Sequence, residues 1–240
     1  MMIKQRIKDF INSFNIVKPP FYERNTLCQI QKYEHILQLN NRSLKDYNNI
    51  LEFGCGYGRL IKYILLINNA AMVYGCDTLS GAINYCQKKY KGTFYLNDCY
   101  PPISLEDEQF DLIYSYSVFT HLSEKNHIRW LQELARLLKP NGVMLHSVKS
   151  YMALRRIKLF SPEELLKYKI SSITKYEADV PYHYIVDNPS TPEYGLTIIN
   201  KDYIIKNWPD YSGLKIIDYQ EGCVEAYPEG CHDLILLGKL

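Results

Sequence analysis

Hydrophobic residues in this chain recur at two different spacings, and the change falls near Asn49. Upstream, Ile3, Ile7, Phe10, Ile11 and Phe14 lie at helical intervals. After Pro19-Pro20 a second helical pattern runs from Thr26, read as its N-cap, through Leu27, Ile30, Tyr33, Ile36, Leu37 and Leu39. From Asn49 onward, short apolar runs alternate with helical stretches. Strands are expected at Ile50–Phe53, Met72–Asp77, Thr93–Asn97, Phe110–Ser115 and Val143–Val148. Helices are expected at Leu60–Ile67, Ala82–Tyr90 and Leu122–Leu138. Pro140-Asn141-Gly142 reads as a turn between the last helix and the last of these strands. Strand–helix alternation of this kind specifies a parallel sheet with helices on both faces, because right-handed crossovers bury both sides.

The alternation stops after Ser150. Ser161-Pro162-Glu163-Glu164 has the form of an N-cap, a first-turn Pro and a capping-box Glu, which starts a helix through Lys169. Residues 170–199, rich in Tyr, Pro and β-branched side chains, read as an insertion with short strands. Lys201–Trp208 is a further helix. Leu214–Tyr219 and Asp233–Lys239 are two final strands, an antiparallel pair at the sheet edge. The fold class expected is α/β: a doubly wound, mostly parallel seven-stranded Rossmann-like sheet with an antiparallel edge strand and a cap insertion. Within one domain over residues 1–240, residues 1–45 form a helical lead-in, 46–150 a ligand-binding core, 151–212 a cap and 213–240 the final strand pair.

Composition removes several function classes. Apolar residues are 47% and charged residues 22% of 240, which excludes a disordered or fibrous chain. A formal net charge of +2 gives no field for holding nucleic acid or an anionic membrane. Met1–Ile16 is amphipathic, unlike a secretory leader, and the longest uncharged apolar run, Tyr63–Val73, is too short to cross a bilayer. Seven cysteines without a C-x-x-C pair suggest free thiols in a reducing cytoplasm and no structural zinc. The 22 tyrosines have two readings: a nucleotide bias of the coding sequence, or a pocket lined with phenols.

The chemistry concentrates in Glu52-Phe53-Gly54-Cys55-Gly56-Tyr57-Gly58-Arg59, set between an expected strand and an expected helix. Glycines there allow a tight turn and close approach of a ligand to backbone amides. Asp77, at the end of the next strand, suits paired ribose hydroxyls. A dinucleotide loop spaces its glycines G-x-G-x-x-G to hold a pyrophosphate. Here the spacing is G-x-G-x-G, Arg59 stands where the last Gly would be, and Glu52 would repel a pyrophosphate. A cationic amino-acid ligand would welcome that carboxylate. The pattern therefore favours S-adenosyl-L-methionine over a nicotinamide cofactor.

With these residues the chain resembles the class I S-adenosylmethionine-dependent methyltransferases over about Asn49–Val148. Glu52–Gly58 is similar to the family's first motif and Val73–Asp77 to its second-strand motif. Asn97-Asp98 is similar to its adenine loop, and Phe110–Ser115 to its fourth-strand motif. Leu137–Gly142 is similar to its LKPGG turn, with Asn141 for the first Gly. The resemblance implies that Gly54, Gly56 and Gly58 pass under the methionine moiety and that Glu52 supports its ammonium. It implies that Asp77 holds ribose and Asp98 adenine, with Ser115 at the cofactor site; Cys99 is read as a structural thiol first and as a neighbour of the ring second. The product would be S-adenosyl-L-homocysteine.

Methyl transfer from a sulfonium asks the protein for positioning and, with a hydroxyl acceptor, for a base. Candidates lie past the carboxyl ends of the fourth and fifth strands: Tyr116, Ser117 and His121, then Ser147, Lys149 and Tyr151. His121 and, in the insertion, His183 are the base candidates. Tyr116, Lys149, Tyr182, Tyr184 and Tyr194 are the acceptor-binding candidates, with Lys149 suited to an anion. Trp208 is read as core. His127, with Glu124, Arg129 and Glu133, is read as a solvated helix face. The N-P-P-Y motif of DNA amino-methyltransferases is absent after the fourth strand, where Tyr114-Ser115-Tyr116-Ser117 stands. The expected activity is methylation of a small molecule, first at oxygen, a sugar or surface-polysaccharide precursor included. The chain would act as a monomer or homodimer without DNA or membrane partners. Protein or RNA methylation, or a non-catalytic cofactor-binding subunit, are the alternatives. Five tyrosines, at 168, 176, 182, 184 and 194, fall in the insertion and either line the acceptor pocket or pack the cap.

Overall fold

The computed structural model of the chain describes residues 21–150, 161, 163, 180–186, 193–224 and 232–239. The first described elements are helix α1, Phe21–Leu39, and a 3-10 turn at Leu44–Asp46 capped by Ser43. Strand β1 is Asn49–Phe53, followed by helix α2 (Ile61–Ile67), β2 (Met72–Asp77), helix α3 (Ser80–Lys89) and β3 (Thr93–Leu96). Next come β4 (Phe110–Ser115), helix α4 (Glu124–Leu137) and β5 (Leu138–Val148). A two-stranded antiparallel ribbon of β6 (Tyr182–Val186) and β7 (Gly195–Ile199) leads into helix α5 (Lys201–Ser212). Strands β8 (Lys215–Val224) and β9 (His232–Gly238) complete the described chain.

The sheet order is β3-β2-β1-β4-β5-β9-β8. The first five strands are mutually parallel, and β9 runs antiparallel to both β5 and β8. Side chains alternate across the sheet as the strand period of two requires. Ile50, Leu112, Val143, Leu145, Leu234 and Leu236 pack on one face with α1, α2 and α3. Leu51, Ile113, Met144, Ile235 and Leu237 pack on the other with α4 and α5. Both faces are covered, so the strands read as continuous apolar runs. The order reverses between β1 and β4, and that switch opens a crevice beyond their carboxyl ends.

Several expectations change. Thr26 is not an N-cap: it lies inside α1, Phe21–Leu39, and is buried there. The Pro140-Asn141-Gly142 turn lies inside β5 as a bulge between the pairs Phe110–Leu138 and Leu112–Val143. Asn141 takes φ +63° there, and its N–H donates to the Lys239 carbonyl at 2.7 Å, which keeps the segment in the sheet. The α4 residues read as a solvated face divide: Glu124 and Arg129 are exposed, while His127 and Glu133 are buried. His127 and Asn126 are 1% exposed and Glu133 7%. Aromatic neighbours explain it: the His127 ring lies 4.5 Å from Phe119 and 4.9 Å from Trp208, which is core. The N-terminal pattern Ile3–Phe14, and the helix expected after Ser161 apart from Ser161 and Glu163 themselves, lie outside the described residues. So do Tyr151, Tyr168 and Tyr176.

Candidate functional site

The loop after β1 turns through three glycines with φ of +74°, +49° and +71° at Gly54, Gly56 and Gly58. Only glycine adopts this region cheaply. Two of them are also sterically required. A Cβ on Gly54 would lie 2.2 Å from the Val118 side chain, and one on Gly58 would lie 2.5 Å from the Tyr90 ring. A Cβ on Gly56 would meet nothing within 4 Å. Gly56 is thus a close-approach surface open to a ligand.

Asp77 ends β2 beside this loop. Its Oδ2 accepts the Gly56 N–H at 2.7 Å and its Oδ1 the Leu79 N–H at 3.0 Å. Each oxygen keeps a lone pair for a further donor. Asp98 follows β3 and is exposed. Its loop is pinned by two bonds: Asn97 Nδ2 donates to the Asp98 carbonyl at 2.8 Å, and Trp130 Nε1 to the Cys99 carbonyl at 3.0 Å.

Glu52 lies beneath the loop, 3% exposed, and accepts the Tyr114 hydroxyl at 3.0 Å. Burial pushes its carboxyl up to about 8, against the lowering effects of the Tyr114 bond and the Arg59 charge. Ser115 is fully buried, with its Oγ 2.8 Å from His146 Nδ1 and its carbonyl accepting the Tyr33 hydroxyl.

A cleft of about 400 Å³ has Gly54, Asp77, Asp98, Tyr116, His121 and Tyr194 in its wall, whereas Glu52, Gly56, Gly58 and Ser115 do not line it. Phe53, Val118, Leu122 and Trp130 supply apolar surface, and Glu193 and Cys99 also line it. Ser117, also in the wall, adopts φ +59°. Its N–H donates to Ser147 Oγ at 2.8 Å and its Oγ lies 2.9 Å from Thr120 Oγ1, contacts that hold this strained residue in place.

His121 has the most informative geometry. Its Nδ1 lies 2.7 Å from the Gly195 carbonyl, which only a protonated Nδ1 satisfies, so Nε2 is the acceptor. Its ring stacks on Tyr194 at 4.4 Å and 10°. Burial, and then the Lys149 charge, lower its pKa to about 4, while the Gly195 bond opposes them. The ring is therefore neutral near pH 7.

The remaining candidates sit elsewhere. Tyr182 is turned into the core: its hydroxyl donates to the Leu122 carbonyl at 2.9 Å and lies 3.0 Å from His127 Nδ1. Tyr184 shares its ribbon face, and its ring crosses Gly195. His183 lies on the opposite face of β6, and neither it nor these two tyrosines lines the described cleft. Lys149 sits just past β5, outside the cleft lining but close enough to shift His121. Arg59 and His232, which sequence reasoning did not assign, flank the cleft residue Tyr116. Arg59 Cζ lies 5.3 Å from its ring centroid, and His232 stacks on it at 5.0 Å and 20°. Among the described residues no group of His, Cys, Asp and Glu side chains is arranged to hold a metal ion. No described helix is long and apolar enough to cross a membrane.

Comparison with known proteins follows the same outline. Residues 51–146 match a family model described as a methyltransferase domain. The malonyl-[acyl-carrier protein] O-methyltransferase of Calditerrivibrio nitroreducens is 28% identical over 149 residues, covering 61% of this chain and 57% of that protein. The phosphoethanolamine N-methyltransferase of Plasmodium falciparum is 30% identical over 111 residues, covering 45% of this chain and 41% of that one. The chain thus spans about half the length of these curated relatives. An S-adenosylmethionine-dependent methyltransferase of Mesorhizobium loti has a similar structure, with a TM-score of 0.60 at 14% identity over 85% of this chain and 96% of that one. At that identity the likeness is one of fold.

Proposed function

We propose that this chain, which belongs to the class I S-adenosylmethionine-dependent methyltransferase superfamily, methylates an oxygen of a small-molecule acceptor held beside His121 and Tyr194. The residues present fit the cofactor. Gly56 offers open backbone, Asp77 keeps a lone pair on each oxygen for ribose hydroxyls, and Asp98 is exposed to accept an adenine amine. Glu52 supplies a buried carboxyl toward the loop that would carry the methionine ammonium. When bound, the cofactor supplies a methyl group already activated on sulfur.

The observation that carries the choice of oxygen is the His121 tautomer. With Nδ1–H committed to the Gly195 carbonyl, Nε2 holds a lone pair beside the cleft. A hydroxyl acceptor would donate its hydrogen there. As its oxygen gains a carbon, that hydrogen becomes strongly acidic, so a base with a lowered pKa is sufficient to collect it. Tyr194 orients the imidazole by stacking, while Val118, Leu122 and Trp130 keep water from the reacting atoms. The flat His121–Tyr194 pair suits a planar or sugar-like acceptor face. The two curated relatives differ by name in the atom they methylate, O in one and N in the other, so the oxygen assignment rests on His121.

The test is incubation with methyl-labelled S-adenosylmethionine and a metabolite panel that includes sugars, phenols and hydroxy acids, read by mass spectrometry. A labelled ether or ester product is expected. H121A should lower turnover by about 10²–10⁴ while S-adenosylhomocysteine still binds. Label found only on nitrogen, or H121A turnover equal to the parent's, would remove the oxygen assignment.

A further inference from the structure

One carboxylate in the wall of the cleft has no part in the methyl-transfer reading. Glu193 lines the cleft together with Asp77 and Asp98, but it belongs to the cap and stands two residues before β7. The next two residues of that segment serve His121. Tyr194 stacks on its ring, and the Gly195 carbonyl lies 2.7 Å from its Nδ1.

Helix α4 sets Glu193 against the loop that follows β3. Asn126, 1% exposed, donates from Nδ2 to Glu193 Oε2 at 2.9 Å. Trp130, four residues further along α4, donates from Nε1 to the Cys99 carbonyl at 3.0 Å and lines the cleft itself. Side chains at i and i+4 share a helix face, about 5–6 Å apart. One turn of α4 thus holds Glu193, and the next holds Cys99, the neighbour of Asp98. Tyr100, two residues past Asp98, feels the same carboxylate: a hydrogen bond to Glu193 raises the pKa of its hydroxyl. A buried amide committed to a half-buried carboxylate fixes where that carboxylate stands.

An ionised carboxylate has about four lone-pair sites. With Asn126 and Tyr100 as donors, Glu193 can still accept from a molecule in the cleft. The ligand assigned to the Asn97-Asp98 loop presents a suitable donor. The exocyclic amine of adenine carries two hydrogens, and Asp98 would accept one of them. The other points to the far side of that nitrogen and loses its water when the base enters the cleft. An N–H left without an acceptor there is costly.

We infer that Glu193 is a cofactor-binding residue of the cap, accepting the second hydrogen of the adenine amine while Asp98 accepts the first. The inference rests on the reading of the cleft as an S-adenosylmethionine site. It makes the amine the group by which the cap recognises a loaded cofactor. Because Glu193, Tyr194 and Gly195 are consecutive, the segment that reads the amine also holds the base. Glu193 takes no part in bond making.

The test compares S-adenosylhomocysteine with S-inosylhomocysteine, which carries an oxo group in place of the amine, by calorimetric titration of the full chain. The parent should prefer S-adenosylhomocysteine by at least about a hundredfold, because the oxo group meets two carboxylates and donates to neither. E193Q keeps an oxygen for Asn126 and offers an amide in place of the second carboxylate oxygen. It should weaken S-adenosylhomocysteine by about tenfold and narrow the preference by at least as much. D98N, titrated alongside, should narrow it too. A merely structural role for Glu193 would weaken both ligands alike and leave their ratio intact, and an unchanged ratio in E193Q overturns the inference. Narrowing that comes only from tighter binding of the oxo analogue, with S-adenosylhomocysteine unaffected, overturns it as well. If the parent binds S-adenosylhomocysteine and E193Q keeps the full preference, only the cap contact falls. If the parent does not bind S-adenosylhomocysteine, the methyl-transfer reading falls and takes the contact with it.

Discussion

Asp77 and Gly56 are joined by a 2.7 Å hydrogen bond, carboxylate to backbone amide, between the end of β2 and the loop after β1. The same carboxylate that would hold ribose also fixes the glycine loop that would pass beneath methionine. D77A should therefore weaken S-adenosylhomocysteine by about 1–3 kcal/mol, since both the charged bonds and the loop's preorganisation are lost. D77N, which keeps one oxygen, should fall between. Calorimetric titration reads this, and an unchanged affinity in D77A would take Asp77 out of the site.

The three loop glycines should fail in different ways. G58A puts a Cβ 2.5 Å from the Tyr90 ring at φ +71°, so it should destabilise the fold by about 2–4 kcal/mol from backbone strain plus overpacking. G54A should behave similarly, and V118A should restore part of its loss, because Val118 is the atom group in the way. G56A meets open space, so its stability cost should be limited to about 1–2 kcal/mol of backbone strain while cofactor affinity drops. Thermal denaturation and ligand titration on the same variants separate these outcomes. Equal stability loss in G56A and G58A would contradict the account.

Glu52 predicts a proton linkage. Its folded pKa of about 8 lies above the ordinary 4.5, so its contribution to apo stability is full below about 4.5 and is lost as pH rises through about 8. A cationic ammonium arriving nearby should lower that pKa and expel the proton. Near neutral pH, binding of S-adenosylhomocysteine should release protons, seen as a calorimetric enthalpy that varies with the buffer's ionisation enthalpy. E52Q should remove that dependence. Buffer-independent binding by the parent would show that Glu52 is not coupled to the ligand.

Four histidines carry the opposite linkage. His121 is lowered to about 4, His146 to about 3, and His127 and His232 well below 6.5, in every case chiefly by burial. Their neutral forms support the fold above about 6.5, and that support is lost as pH falls toward the folded values. Glu52 and Asp233, whose pKa values are raised by burial, work against this trend and are fewer. The urea midpoint should fall between about pH 7 and pH 5. H146Q, which can keep a partner for Ser115 without titrating, should fall less steeply. A midpoint that rises on acidification would contradict these placements.

The glycine loop and its acidic neighbour were legible in the sequence because they are local. Gly54, Gly56, Gly58 and Asp77 lie on consecutive elements, and the strands Met72–Asp77 and Phe110–Ser115 have the bounds their apolar runs predict. The His121–Tyr194 side of the cleft depends on long-range placement. Tyr194 reaches His121 only because β7 docks on the loop after β4, where the Gly195 N–H donates to the His121 carbonyl and the Thr197 N–H to that of Thr120. His232 reaches Tyr116 only through the antiparallel return of β9. Nothing in the spacing of His127, Glu124, Arg129 and Glu133 announced that Phe119 and Trp208 would cover the histidine. Of the described insertion tyrosines, Tyr194 lines the cleft while Tyr182 and Tyr184 pack the ribbon, so these three divide between lining the pocket and packing the cap.

The central claim is that the glycine loop and Asp77 form a site for S-adenosylmethionine and not for a dinucleotide. Parallel calorimetric titrations of the full chain with S-adenosylhomocysteine and with NAD test it most directly. Saturable, micromolar binding of S-adenosylhomocysteine, with no heat from NAD, is the result expected. Binding of NAD in the absence of any response to S-adenosylhomocysteine would contradict it.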